Sequence, residues 1–216
     1  MGTVTINVSP VQLGDSNFVE DVRCALRDSG VEPSAVCLEL TESSLMQGPS
    51  TTIDVLAELQ SLGVYLAIDD FGTGHSSLAR LRDLPVEIVK IDRSFVDGLG
   101  RDSHDSAIVA SIMSLAFAMG LHAIAEGVEQ PAQAKALTRL GCTTAQGYLF
   151  SPAQPPSAIS ALCGTRLWRP IRARPSDEAD PARSPAPRGR RGRRGFIDEF
   201  LDHMGVHMYT VEGRAR

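Results

Sequence analysis

The chain is poor in lysine and aromatic residues and has no long apolar run. Of its 21 basic residues only Lys90 and Lys135 are lysines. No apolar stretch approaches the ~20 residues that a membrane-spanning helix needs, which excludes a transmembrane segment from this sequence. No secretory signal is recognisable, and Ile6 stands where N-myristoylation requires Ser or Thr. We therefore expect a cytoplasmic protein.

Cysteine is also scarce, and none of the four cysteines lies in a CxxC spacing. Scattered cysteines of this kind are typical of buried thiols in helices and strands. The four are Cys24, Cys37, Cys142 and Cys163.

Charge and composition divide the chain near Cys163. Residues 1–165 carry 9 Lys/Arg and 19 Asp/Glu, a net charge of −10, whereas residues 166–216 carry 12 Arg and 7 Asp/Glu, a net charge of +5. We predict a globular domain over 1–165. A Pro/Arg/Gly-rich linker over 166–195 is predicted to be disordered because it cannot bury a core. In the tail, 196–216, a short amphipathic helix is predicted from the apolar residues Phe196, Ile197, Phe200, Leu201 and Met204.

The arginine-rich stretch from Arg183 to Arg194 contains six arginines and no acidic residue. Contact with nucleic acid or anionic lipid is one interpretation. A solubilising tail or a frameshifted end is the interpretation that we favour, because no aromatic residues are interleaved to stack on bases.

Short apolar stretches that end in polar residues recur along the chain, with helical patterns between them. The predicted strands lie in the segments 3–9, 36–43, 64–70, 86–92, 121–129 and 143–150. Three apolar stripes with helical period are formed by Phe18, Val19, Val22, Ala25 and Leu26, by Ile53, Leu56, Leu59 and Leu62, and by Ile108, Ile112, Leu115, Ala116 and Met119. The glycines Gly30, Gly63, Gly120 and Gly141 follow predicted helices as stop signals. Alternating strands and helices predict an α/β fold with a parallel sheet, and polar strand ends fit the top of a (β/α) barrel.

Adjacent carboxylates, Asp69 and Asp70, close the apolar stretch in VYLAIDDFGTGHSSL (64–78). Two carboxylates at a strand end repel each other unless a cation, usually a metal ion, lies between them. A solvated Asp-Asp turn is the alternative.

Five ordered segments carry a resemblance to a known family: LELTES, IDDFGTGHSSL, VKIDRSFV, AIAEGVE and GCTTAQGYLFSPAQP. Together they resemble the EAL-domain phosphodiesterases of bacterial cyclic di-GMP signalling, from about Thr3 to Pro156. A DFG triplet also occurs in kinases, but no HRD-type catalytic loop is present here. The resemblance implies a TIM-barrel-like (β/α)8 EAL domain, of which about six of eight strands are present.

The resemblance also implies hydrolysis of cyclic di-GMP to the linear dinucleotide pGpG with two Mg²⁺ or Mn²⁺ ions. It implies that Asp69 bridges the two ions and that Lys90 lies beside the attacking water and the phosphate. Gln146 would help to orient that water. The implied metal ligands are Asn7, Glu39, Asp69, Asp70 and Glu126. The implied catalytic residues are Lys90, Glu126 and Gln146, so Glu126 belongs to both sets. The implied loop and supporting residues are Thr41, Glu42, Phe71, Gly72, Thr73, Gly74, Ser76 and Asp92.

Several of these residues have simpler interpretations. Asn7 is also suited to cap or turn the chain after its strand, and Glu126 to stand at a helix N-terminus. Glu39 lies between Leu38 and Leu40, and strand alternation places it on the barrel interior, where a lone carboxylate is unfavourable; this favours function. His75 is interpreted as tuning the packing of the loop.

The chain contains no Glu-Ala-Leu tripeptide. In the family that strand provides a further metal-binding glutamate, with a substrate-binding arginine nearby, and a typical barrel needs about 250 residues. We expect the chain to be an N-terminal truncation, explained by a misplaced start, a truncated gene or a second polypeptide that supplies the missing strands. We also expect little hydrolytic activity from this chain alone. The alternative function is a catalytically inactive receptor for cyclic di-GMP or a protein-interaction module. A homodimer through the DFG-containing loop and an upstream sensory or signalling module are further expectations from the resemblance.

Overall fold

The fold is a parallel half-barrel sheet of six strands with helices between them, which confirms the predicted α/β class. The computed structural model describes residues 3–48, 51–74, 78–154 and 213–214. The strands follow one another in the sheet in chain order, and all six pair in parallel. They are β1 (Val4–Asn7), β2 (Val36–Thr41), β3 (Tyr65–Phe71), β4 (Ile88–Ile91), β5 (His122–Ala125) and β6 (Thr144–Ala145).

A seventh strand, β7 (Gly213–Arg214), pairs antiparallel with β6. The sequence did not predict this strand. The predicted linker, the predicted helix within 196–205 and Cys163 lie outside the described residues.

Helices connect successive parallel strands, as expected for a parallel sheet. They are α1 (Pro10–Leu13), α2 (Phe18–Ser29), α3 (Glu42–Gln47), α4 (Thr51–Ser61), α5 (Leu78–Asp83), α6 (Arg93–Val96), α7 (Ser103–Ala118) and α8 (Pro131–Arg139). A 3-10 turn, Pro33–Ala35, precedes β2.

The predicted apolar stripes of α2 and α4 face the core. In α2, Phe18, Val22 and Leu26 are buried against the sheet. In α4, Leu56 and Leu59 are fully buried. The predicted stop signals are confirmed as well, because the chain has a positive φ at all four glycines that were expected to end helices.

The predicted stripe of α7 is wrong at one position. Ile108 is 38% exposed, whereas the neighbouring Val109 is completely buried and Ile112 and Ala116 are nearly so. Adjacent helical residues lie about 100° apart around the axis, so the face that contains Val109, Ile112 and Ala116 turns Ile108 towards solvent.

Five of the six parallel strands are shorter than the apolar segments that predicted them, whereas β3 keeps the predicted length and is shifted by one residue. The segment 143–150, for example, provides only the two residues of β6. Residues 147–150 form a hydrogen-bonded turn, in which Phe150 N donates to the Gly147 carbonyl at 3.0 Å. Apolar residues that pack beside a strand end prolong the pattern beyond the strand itself.

Two of the cysteines, Cys37 and Cys142, are buried and Cys24 is half-buried, and these three form no disulfide. Among the described residues, no helix has both the length and the apolar character that crossing a membrane requires.

Candidate metal centre

Strand register places the polar side chains of six strand ends on one face of the sheet. Asn7 is paired with Glu39, and Ala67, two residues before Asp69, is the partner of Glu39 on the other side. Side chains alternate between the two faces of a sheet with a period of two. The register places Ile88 and Ile124 on the same face as Ala67, so Lys90 and Glu126, two residues further along, lie on that face as well. The residues on this face at the carboxyl ends of the strands are Asn7, Glu39, Asp69, Lys90, Glu126 and Gln146.

Lys90 lies at the centre of this group and is 2% exposed. Its Nζ lies 2.7 Å from Glu39 Oε1 and 3.6 Å from Asp69 Oδ1, and it contacts Glu126 Oε1. Burial lowers the pKa of Lys90, but the charges of Glu39, Glu126 and Asp69 together outweigh burial and hold the pKa above its usual value. The ammonium is therefore charged, and it compensates part of the negative charge around it.

Three carboxylates converge beside Lys90. One oxygen from each of Asp69, Asp70 and Glu126 lies within 4.8 Å of the other two. Burial raises the pKa of Glu126 to about 7, a rise that Lys90 opposes and Asp69 reinforces. Burial and the charge of Asp69 also raise the pKa of Asp70. Negative charge is thus concentrated beyond what Lys90 neutralises, which favours the binding of a cation.

The donor atoms of the cluster fit a hard divalent cation. Asp69 Oδ1 is buried and accepts no hydrogen bond from the described residues, and the same is true of Gln146 Oε1. Buried polar atoms without a hydrogen bond are unfavourable, and a bound cation would satisfy both oxygens, including Asp69 Oδ1, from which Lys90 Nζ lies 3.6 Å away. Mg²⁺, Mn²⁺ and Ca²⁺ prefer such carboxylate and carbonyl oxygens. The residues present therefore fit a divalent metal centre.

The backbone at Asp70 adopts an unusual conformation. Asp70 has φ of +55°, the only positive φ of a non-glycine residue in the described part of the chain. The pairing of β3 with β4 shifts register between Ile68 and Phe71. Such an irregularity redirects side chains at a strand end, and here it brings two consecutive carboxylates to one cluster.

The turn that follows β3 is fixed by contacts with α3. The buried Glu42 accepts a hydrogen bond from Gly72 N at 2.8 Å. Gly72 has φ of +98°, a backbone conformation that is strained for any residue with a side chain. Gly74 lies so close that an added Cβ would come within 2.5 Å of Glu42 Oε1. Thr73 Oγ1 donates to the Asp70 carbonyl at 2.8 Å. These contacts join the predicted loop residues to the aspartate pair.

Gln146 is positioned by a close backbone contact. Gly147 has φ of +147°, and a Cβ there would meet the backbone of Val128 at 2.3 Å. Gln146 N donates to the Ala125 carbonyl at 2.8 Å, and its Nε2 donates to Glu126 Oε1 at 2.5 Å. Gln146 thereby fixes the carboxylate of Glu126 next to Lys90.

Two supporting residues prove to be helix caps. The side chain of Thr41 accepts from Ser44 N and begins α3, and that of Asp92 accepts from Ser94 N at 3.0 Å and begins α6. Phe71, expected in the loop, is instead the buried last residue of β3. The strand continues two residues past Asp69, so the loop begins later than predicted.

Neither Asn7 nor Glu126 lies at the helix N-terminus that a simpler interpretation suggested for it. Ser9, rather than Asn7, caps the helix after β1. Glu126 is not at a helix N-terminus, because α8 begins at Pro131. His75 and Ser76 lie outside the described residues.

Sequence reasoning missed an ion pair beside the site. Arg93 Nη2 lies 2.8 Å from Glu129 Oε1, and the aliphatic part of Arg93 covers Gly127, where an added Cβ would come within 2.3 Å of Arg93 Cγ. The pair joins the first residue of α6 to the segment between β5 and α8. Charged residues three positions after Lys90 and Glu126 were the available signal.

Comparison with known proteins matches the chain to a family model. The model described as "EAL domain" matches residues 2–153. A bifunctional diguanylate cyclase/cyclic di-GMP phosphodiesterase, MucR of Pseudomonas aeruginosa, is 42% identical over 158 residues, which are 73% of this chain and 23% of MucR. The cyclic di-GMP phosphodiesterase RocR of the same organism is 38% identical over 160 residues, 74% of this chain and 41% of RocR. The chain thus spans less than half the length of these relatives.

Solved structures agree in fold. The EAL domain of Mycobacterium smegmatis DcpA is 47% identical, with a TM-score of 0.72 over 74% of this chain and 71% of that chain. Klebsiella pneumoniae BlrP1, in a complex with manganese and cyclic di-GMP, is 31% identical, with a TM-score of 0.65 over 69% of this chain and 38% of that chain. By sequence and by structure, the chain belongs to the EAL domain family.

Proposed function

We propose that this domain hydrolyses cyclic di-GMP to linear pGpG at a divalent metal centre formed by the carboxylates of Asp69, Asp70 and Glu126. The observation that carries the proposal is the convergence of these carboxylates within 4.8 Å of one another beside the buried Lys90. The relatives MucR and RocR are named as cyclic di-GMP phosphodiesterases, and the BlrP1 complex contains manganese. These similarities support both the substrate and the need for a divalent metal.

In the proposed site, Asp69, Asp70, Glu126, Glu39 and Asn7 would hold two Mg²⁺ or Mn²⁺ ions, with Asp69 at the centre of the ligand set. Divalent cations at such a site lower the pKa of water and neutralise charge on a phosphate.

The protein's own groups would orient the reactants. Lys90 places a compact positive charge beside the carboxylates, where it would contact a phosphate oxygen or hold the attacking water. Gln146 has a buried Oε1 without a hydrogen-bond donor among the described residues, so it has an acceptor available for that water. Its Nε2 keeps Glu126 in place. Burial of the group strengthens each of these electrostatic contacts.

The homodimer through the loop after β3 and the upstream module stay predictions from family resemblance. Light scattering of the purified chain tests the first.

The direct test of the proposed function is product analysis with the chain in excess over cyclic di-GMP, so that one slow turnover is scored. We expect pGpG to appear with Mn²⁺ and not with EDTA. Binding of cyclic di-GMP with no pGpG after prolonged incubation would contradict the proposal and favour an inactive receptor.

A further inference from the structure

Arg80 makes a contact that the proposed mechanism does not use. It lies on α5, and its Nη2 donates to the carbonyl of Gly48, the C-cap residue that follows α3. A guanidinium is a strong donor to the free carbonyl groups at the end of a helix. Arg80 therefore ties α5 to the C-terminal end of α3.

The opposite end of α3 holds the turn beside the metal centre. Glu42, the first residue of α3, accepts from Gly72 N at 2.8 Å. Between the two ends, Leu45 is completely buried and fixes α3 in the core. One short helix thus contacts the chain on both sides of the segment that runs from β3 to α5.

This double attachment has a reason in the backbone of Asp70. A positive φ is unfavourable for a residue with a side chain. Such conformations persist only where the surrounding structure fixes them. The hydrogen bond from Gly72 N to Glu42 lies two residues after Asp70, so the position of α3 bears directly on the conformation that brings Asp70 to the cluster.

Packing alone does not explain an arginine at this position. Arg80 Nε is buried and has no hydrogen-bond acceptor among the described residues. A buried donor without a partner is unfavourable, so an apolar side chain of similar length would suit packing at least as well.

We propose that Arg80 is a positioning residue of the metal centre. By holding Gly48 it fixes α3, and through Glu42 and Gly72 it keeps Asp70 in its strained, metal-directed conformation. The catalytic consequence of this proposal rests on the proposed function, whereas its structural and metal-binding consequences do not.

The test compares Arg80→Met, Arg80→Lys and a matched control, Arg82→Met. Arg82 is on the same helix, but its side chain is exposed and pairs only with Asp83 in the described part of the chain. Two readouts are needed: hydrogen exchange of the Gly72 amide in the metal-free chain, and Mn²⁺ affinity measured from the electron paramagnetic resonance signal of the free ion.

Loss of one hydrogen bond worth about 1 kcal/mol corresponds to about a fivefold change in an equilibrium, so Arg80→Met should speed Gly72 exchange and weaken Mn²⁺ binding about fivefold. Arg80→Lys, which keeps a donor, should restore much of both. Arg82→Met should match the wild type, and the thermal midpoints of all variants should stay close together.

Unchanged Gly72 exchange and Mn²⁺ affinity in Arg80→Met would overturn the proposal. So would faster exchange throughout the sheet together with a lower thermal midpoint, because that pattern belongs to a general structural role. If the wild-type chain forms no pGpG, the proposed function fails, but Gly72 exchange still decides the role of Arg80.

Discussion

The charge balance of the site depends on Lys90. Lys90 and Glu39 are 2% and 3% exposed, and Asp69 and Glu126 are 15% and 16% exposed. Removal of one partner from a buried ion pair leaves an uncompensated charge and typically destabilises by about 3–5 kcal/mol. The ammonium thus stabilises the group of acids that the proposed chemistry requires.

Lys90→Met should therefore lower the free energy of unfolding of the metal-free chain by about 3 kcal/mol at pH 8. Urea denaturation in EDTA measures this, and Mn²⁺ should restore part of the loss because it replaces the missing positive charge. The only other lysine in the sequence offers a matched control: Lys135 is exposed on α8, and Lys135→Met should change stability little. Equal stability of the two variants would contradict the role assigned to Lys90.

The raised pKa of Glu126 makes the stability of the metal-free chain depend on pH. Its pKa is about 7 in the folded chain and 4.5 in the reference state. Between these values the folded state holds a proton that the unfolded state has released, so the stability must fall as pH rises through this window. Glu126→Gln should flatten this part of the stability curve, whereas Glu58→Gln, at an exposed position, should not.

Denaturant unfolding between pH 4.5 and 8, in EDTA, measures this dependence. The same proton competes with metal, so Mn²⁺ affinity should increase as pH rises through 7. A wild-type slope equal to that of Glu126→Gln would refute the assignment.

At the scale of single elements, the turn after β6 depends on one glycine. A Cβ at Gly147 would lie 2.3 Å from backbone atoms of Val128, which cannot move as a flexible side chain can. Gly141 has a positive φ too, but an added Cβ there meets nothing within 4 Å. Substitution of Gly147 therefore adds a backbone clash to the strain of a positive φ, whereas substitution of Gly141 adds the strain alone.

Gly147→Ala should accordingly lower the thermal midpoint more than Gly141→Ala, which suffers only the strain of about 1–2 kcal/mol that a side chain meets at positive φ. Because Gln146 precedes Gly147 and fixes Glu126, Gly147→Ala should also weaken Mn²⁺ binding, whereas Gly141→Ala should not. Similar midpoints and similar Mn²⁺ affinities for the two variants would argue against this close contact.

Individual strands and helices differ in how well the sequence predicted the positions of their residues. The position of Glu39 was predictable because it interrupts the apolar residues of β2, and that of Lys90 because the apolar pattern of its strand gives way there to polar residues. Phe71 was misplaced because a strand with a register shift gives no sign in the sequence of where it ends. The contact from Arg80 to Gly48 joins residues 32 positions apart, and such a contact follows from packing and not from any local pattern.

At the scale of the whole molecule, the fold brings residues from distant parts of the chain to one site. Parallel strands present all their carboxyl ends at one edge, so Asn7 and Gln146, at β1 and after β6, belong to the same face. The acidic balance of residues 1–165, a net charge of −10, further favours the accumulation of cations near that edge.

A metal centre at Asp69 is tested most directly by the rate of pGpG formation from cyclic di-GMP in Mn²⁺, compared between the wild type, Asp69→Asn and Asp83→Asn. Asp83 is an exposed carboxylate on α5 and provides the control. Substitution of residues that support the ligands of a metal site typically lowers activity about 10–100-fold. We predict that Asp69→Asn lowers the rate by more than this, because it changes a ligand itself, while Asp83→Asn keeps the wild-type rate. Equal rates for all three proteins, or a rate that EDTA leaves unchanged, would contradict a metal centre at Asp69.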